Sequence, residues 1–192
     1  MLLLLSSCGG KQKAMGEAIT ERDSLPVMTT LGVTTLISDS GVTRYRVNTE
    51  EWMMYDRKKP SYWAFEKGVY MEQFDSIFNV EASIKADTAY YYDKERLWKL
   101  IGNVDIQNRK GERFNTELLY WNEATQKVYS DKFIRIQQPD RIITGHGFDS
   151  NQQMTIYTIR NIEGIFYVDE EASSGPPQPE TKALPDLSLI HI

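Results

Sequence analysis

Residues 97–108 read LWKLIGNVDIQN, and their parity decides the fold. Trp98, Leu100, Val104 and Ile106 share one face, with Gly102 among them, while Lys99, Asp105 and Gln107 fall on the other. Alternation with a period of two is the mark of a β-strand with one dry side. Upstream, VEASIKADTAYYY (80–92) repeats it, with Val80, Ala82, Ile84 and Ala86 opposite Glu81, Ser83, Lys85 and Asp87. Downstream, KFIRIQ (132–137) sets Ile134 and Ile136 against Phe133 and Arg135. MTIYTIRNI (154–162) sets Thr155, Tyr157 and Ile159 against Ile156, Thr158 and Arg160. No segment beyond residue 26 keeps helical spacing for more than a turn or two.

Between these runs lie turn signals: SDSG at 38–41, RKKPS at 57–61, FDS near 75, DKER at 93–96, RKG at 109–111, NEATQ at 122–126, QPDR at 138–141 and DSNQQ at 149–153. Gly, Asn, Asp and Pro tolerate the backbone angles that turns demand. Strands joined by short turns are antiparallel neighbours, so residues 26–168 predict one all-β domain, an antiparallel meander of about nine to twelve strands. So many strands curl, fold into two layers or close.

Composition agrees with a single domain of this size. The chain has 192 residues, 41% of them hydrophobic and 26% charged, with a net charge of −5, and it carries eleven Tyr, seven Phe and four Trp. An acidic chain with scattered cations lacks the dense basic face of a nucleic-acid binder. After residue 5 nothing approaches the roughly 18–20 apolar residues of a membrane-spanning helix.

The chain opens differently. LLLLSSCGG (2–10) places the single cysteine, Cys8, after Leu5-Ser6-Ser7. An apolar residue and two small ones before cysteine match the bacterial lipobox, in which the thiol accepts the lipid. Residues 1–7 therefore read as the remnant of a signal peptide whose charged and apolar regions run upstream. Residues 8–25, with glycines and mixed charges, read as a lipidated tether. Residues 169–192 are acidic and Pro-rich, the composition of a disordered tail. Its last residues, 185–192, read as adapter-derived sequence.

Chemistry-bearing residues are sparse. GHGFDS (145–150) puts His146, Asp149 and Ser150 close in sequence, but a triad needs convergence in space, and a histidine between glycines is ordinarily a turn or surface residue. Asp87, Asp93 and Glu95 fit no calcium loop. Gly145 and Gly147 read as a bulge or a close backbone approach. No enzyme, metal or cofactor is expected.

The order of segments is more telling. IKADTAYYY, LWKLIGNVDIQNRKGERFNTELLYW, KVYSDKFIRIQ and IITGHGFDSNQQM follow one another as an Ala-Asp strand, a Gly-Asn-Val strand, a Gly turn, a Thr-Glu-x-Leu strand and a Gly-x-Gly-Phe-Asp stretch. This resembles the LptC family of periplasmic lipopolysaccharide-export components, within the wider OstA-like group, over residues 80–155. The upstream ISDSGVTRYRV and WAFEKGVYMEQF resemble the form found in Bacteroides-like bacteria.

The resemblance implies a twisted, open-edged β-jellyroll with a hydrophobic trough. One edge adds to the inner-membrane ABC transporter, the other adds to the next periplasmic bridge protein, and lipopolysaccharide acyl chains slide along the trough. It implies the periplasm, at the inner membrane, as the site of work. The best-known members carry an N-terminal transmembrane helix where this chain has its lipobox.

On pattern alone the alternating faces make a dry core; the resemblance turns them into trough lining. The candidates are Val80, Ala82, Ile84, Trp98, Leu100, Val104, Ile106, Leu119, Trp121, Ile134 and Ile136, although Leu118 and Tyr120 read equally well on the other parity. Thr155, Tyr157 and Ile159 mark the candidate outgoing edge, and VMTTLGVTTLIS (27–38) the incoming one. The alternative is a closed, lipocalin-like β-barrel lipoprotein holding a small apolar ligand.

Overall fold

The computed structural model describes residues 24–167. Cys8, the expected tether up to residue 23 and the expected tail from residue 169 lie outside them. The strands are β1 (Met28–Asp39), β2 (Val42–Tyr55), β3 (Tyr62–Phe65), β4 (Val69–Phe74), β5 (Val80–Ala86), β6 (Thr88–Tyr92), β7 (Leu97–Asn108), β8 (Arg113–Asn122), β9 (Lys127–Gln137), β10 (Arg141–Asn151) and β11 (Tyr157–Tyr167). They form one antiparallel sheet.

Its topology simplifies once the breaks are seen. β2 pairs with β4 through Tyr45–Thr49 and with β3 through Met53–Tyr55, so β3 and β4 are two halves of one lane. β7 likewise pairs with β6 through Leu97–Ile101 and with β5 through Asp105–Asn108. The sheet is therefore a meander in which each lane pairs only with its sequence neighbours. Among the described residues β1 pairs only with β2 and β11 only with β10, so the sheet is not a closed barrel. The lipocalin-like alternative fails on that point.

The breaks line up across the molecule. Ile101 pairs with Leu118, but Val104 pairs with Thr116, leaving Gly102 and Asn103 opposite Glu117. Between β9 and β10 the ladder slips where Asp131 and Lys132 face Gly147. Gly68 and Asp87 stand at the corresponding gaps of the two broken lanes. Two residues opposing one bend the strand and increase its twist. A row of such bulges folds the whole meander along a single spine into two facing layers. Left-handed glycines serve it: Gly68, Gly102 and Gly147 all have positive φ, which costs glycine nothing. Spine side chains are wet, with Glu50, Lys67, Asp87, Asn103, Glu117, Asp131, Lys132 and Arg160 all exposed.

Bulging frees carbonyls that the ladder no longer uses, and buried hydroxyls take them. Thr49 Oγ1 donates to Gly68 O at 2.8 Å, Thr116 Oγ1 to Phe133 O at 2.7 Å, and Ser130 Oγ to Leu118 O at 2.6 Å. Asp87 braces the outer side, donating its N–H to Gly102 O at 3.0 Å and accepting Asn103 Nδ2 at 2.7 Å. The slip also reverses the inward parity within a strand: β8 turns Phe114 and Thr116 inward before the spine, and Leu119 and Trp121 after it. That settles the open reading of β8 for Leu119 and Trp121, with Leu118 and Tyr120 only half-buried.

Candidate functional site

Folding along the spine brings the hairpin turns at the two strand ends face to face, like two lips. One lip carries the turns after β1, β4, β7 and β9; the other carries those after β2, β6, β8 and β10. Among the described residues the sheet's dry face meets solvent through the gap between the lips, and its width changes from end to end.

Near β1 and β2 the lips stand apart around a cleft of about 700 Å³. Its wall is aromatic. Rings follow one another across the strands, with centroid spacings of 5.0 Å from Trp52 to Trp63, 5.1 Å from Trp63 to Tyr91, and 4.7 Å from Tyr91 to Trp98. Trp98 then stacks on Trp121 at 6.2 Å, and Trp121 meets Tyr45 from the opposite layer at 5.2 Å. Glu123 anchors the row, accepting Trp98 Nε1 at 2.9 Å and the Tyr91 hydroxyl at 3.3 Å. Burial, and then the Glu123 charge, push the Tyr91 phenol up to about 12. The indole N–H groups of Trp52 and Trp121 have no acceptor among the described residues. Arg44, Arg96, Glu81 and Asp39 supply a polar rim.

Midway along, the lips meet. Asn108 Nδ2 crosses to Met154 O at 2.8 Å, and Gln138 Nε2 crosses to the Tyr157 hydroxyl at 2.8 Å. Buried Glu112 accepts from Asn108 Nδ2 at 2.7 Å, Gln138 Nε2 at 2.7 Å and the Tyr157 hydroxyl at 3.3 Å. Burial and the Glu112 charge push the Tyr157 phenol up to about 12. Beneath them the layers interdigitate, Phe114 against Tyr157 at 5.2 Å and against Phe148 at 5.7 Å.

At the far end the inner face opens again. Ile165 pairs with Ile143 and Ile162 with Gly145, so both share the core's side of the sheet, yet they are 45% and 58% exposed. At the near end Met28 and Ile37, paired with Met54 and Tyr45, are similarly uncovered.

The residues expected to line a trough come together on the inner face. Ala82, Trp98, Leu100, Val104, Ile106, Leu119, Trp121, Ile134 and Ile136 are all buried there. Ile84 is half-buried beside the little space left between the layers, about 20 Å³, while Val80 starts its strand exposed. Phe65, Met71, Phe114, Phe148 and Met154 also belong to this core and were not among the expected set. Of the edge residues, Tyr157 and Ile159 are on β11 with side chains packed on the core. Thr155, expected on the same strand, lies instead in the turn before it, its N–H held by Asn151 Oδ1 at 2.9 Å.

His146, Asp149 and Ser150 do not converge. His146 Nδ1 lies 2.7 Å from Glu163, Asp149 pairs with Arg160 at 3.3 Å, and Ser150 Oγ donates to Ile156 O at 3.0 Å. Gly145 and Gly147 mark the irregular stretch of β10, as the sequence suggests. Among the described residues no group of three His, Cys, Asp or Glu could hold a metal ion, and no helix is long and apolar enough to cross a membrane.

A folded meander with a greasy interior and two free edges suits transport of something amphiphilic better than catalysis. Comparison with curated proteins finds no match. The family model described as lipopolysaccharide-assembly, LptC-related, matches residues 13–165, which takes in every strand from β1 through most of β11. That family is one of transport components, not of enzymes. On sequence order, fold and family match together, the chain belongs to the LptC-related lipopolysaccharide-assembly family, and its role is in lipopolysaccharide transport.

Proposed function

We propose that this protein is a periplasmic link, anchored to the inner membrane through a lipid on Cys8. It takes lipopolysaccharide from the inner-membrane ABC transporter at the β1 edge and passes it to the next, OstA-like bridge protein at the β11 edge. One observation carries the reading: the dry inner face surfaces at both ends of the sheet, beside the two strands that have no outer neighbour among the described residues. Each acyl methylene left in water costs about 0.8 kcal/mol, and a dry slot removes that cost without chemistry. The lips give the saccharide a place outside while the chains lie within.

Unpaired edges are ordinarily blunted against aggregation. Here β1 carries exposed Leu31 and Leu36, and β11 carries exposed Ile162, Ile165 and Phe166, a surface that favours strand addition by another chain. Tyr157 and Ile159 contribute backbone to that edge, and Thr155 contributes through the turn that positions it.

Site-specific photocrosslinkers in the native host test this. Replacement of Trp63 at the cleft and of Ile165 at the far end should each capture lipopolysaccharide, and replacement of Phe166 should capture a periplasmic protein. Capture of no lipopolysaccharide from either inner position would sink the transport reading.

A further inference from the structure

The transport reading leaves a physical obstacle, because the cleft and the far inner face are not connected. Between them the layers touch, and the residual space of about 20 Å³ holds about one water and no acyl chain. We infer that the turn between β10 and β11 is a gate on the groove, with Met154 as its plug and Glu112 as its latch, and that lipid passes only when this turn swings away from the opposite lip. The inference rests on the transport reading and goes beyond it.

The turn is built as a movable unit. Asn151 organises it, its Oδ1 accepting the N–H groups of Thr155 at 2.9 Å and Ile156 at 3.1 Å, with Ser150 Oγ donating to Ile156 O at 3.0 Å. Its backbone closes the loop, with Asn151 N–H donating to Ile156 O at 3.1 Å and Met154 N–H donating to Asn151 O at 3.0 Å. Those bonds are internal, so the turn can move without breaking them. Held at positive φ, Met154 drives its side chain between the layers, where it is 1% exposed. A thioether on an unbranched stem fills irregular gaps, and an acyl chain can replace it with little change in buried apolar area.

The bonds that hold the turn shut are of a different kind. They cross from lip to lip: Asn108 to Met154 O, Gln138 to the Tyr157 hydroxyl, Tyr157 to Glu112, and Lys110 Nζ to Thr155 O at 3.4 Å. Three neutral donors serve the Glu112 carboxylate, and it makes no ion pair among the described residues. Opening exposes every one of these groups to water, which supplies replacement hydrogen bonds, so the net cost of parting the lips is modest. A salt bridge or an apolar seam at the same place would not be so easily exchanged. Tyr45 and Gln152 form a second crossing at 2.7 Å, on the cleft side of the plug.

Stapling the lips tests the gate. Lys110 and Thr155, whose side chains stand at the surface where the lips meet, are replaced by cysteine in the full-length chain. A cleavable bis-maleimide joins them in intact cells that also carry a photocrosslinker at position 63 or 165. The expected result is that stapling preserves lipopolysaccharide capture at 63, abolishes it at 165, and that cleaving the staple restores it. Each single-cysteine variant, treated alike, should capture at both positions. Undiminished capture at 165 in the stapled protein overturns the gate, as does loss at 63 together with 165, which would make the staple a block on entry. Absence of capture at both positions before stapling overturns the transport reading itself, and the two failures are thereby told apart.

Discussion

Thr116 is among the least conspicuous residues of the sequence and one of the more consequential in the fold. Its hydroxyl is buried and donates to Phe133 O, a carbonyl freed by the slip between β8 and β9. Replacing Thr116 by Val keeps the shape and leaves that carbonyl unsatisfied, which costs about 1–3 kcal/mol. A denaturant midpoint lowered accordingly checks it, with exposed Thr158→Val expected within about 0.5 kcal/mol of the parent. Period-two reading could not single Thr116 out, because threonine suits any strand. Nor could it choose between Leu119 with Trp121 and Leu118 with Tyr120. The inward parity reverses between Thr116 and Leu119, and no residue type announces a one-residue slip there. Gly145 and Gly147, by contrast, were legible, since a glycine inside a strand signals a bulge or a close approach. The positive φ of Gly147 sets it on the spine.

At the scale of elements, the seating of β11 on β10 turns on Gly145. A Cβ there would collide with the Asn161 carbonyl and with the Ile159 methyl, both on β11. Gly145→Ala should therefore lift the last strand and leave the earlier lanes intact. Hydrogen exchange will show it, with amide protection lost across 157–167 and kept in β7 and β8; uniform loss across the sheet would refute it. Turns and strand order were readable because Gly, Asn, Asp and Pro punctuate nearly every hairpin. The division of one lane into β3 and β4 was not, because the polar break Glu66-Lys67-Gly68 within WAFEKGVYMEQF is short enough to pass for the wet residues of one continuous strand. The positive φ of Gly68, the Thr49 hydroxyl on its carbonyl and its N–H on Asp87 O mark the bend. The lip contacts were equally hidden. Asn108, Glu112, Gln138 and Tyr157 are scattered through two strand ends and two turns, and only the folding of the meander assembles them.

For the molecule as a whole, two uncovered edges have a consequence in dilute solution. Contact between the β1 edge of one copy and the β11 edge of another is heterologous and leaves both outer edges free again, so association does not stop at a pair. Sedimentation of the purified chain should reveal a concentration-dependent ladder of species, shortened by a double change of Ile165 and Phe166 to Lys. A single closed dimer would contradict it. The all-β class and the open roll were legible in alternation and segment order. The filled middle was not, since the same alternation serves a sealed core and an open slot. Because each lane pairs only with its chain neighbours, the sheet also behaves as a ruler. Lanes spaced about 4.8 Å apart make its span, about 40 Å, a matter of strand number alone. A hairpin inserted between any two lanes would lengthen the conduit by two steps, and a wider gap can be crossed only by laying such units end to end.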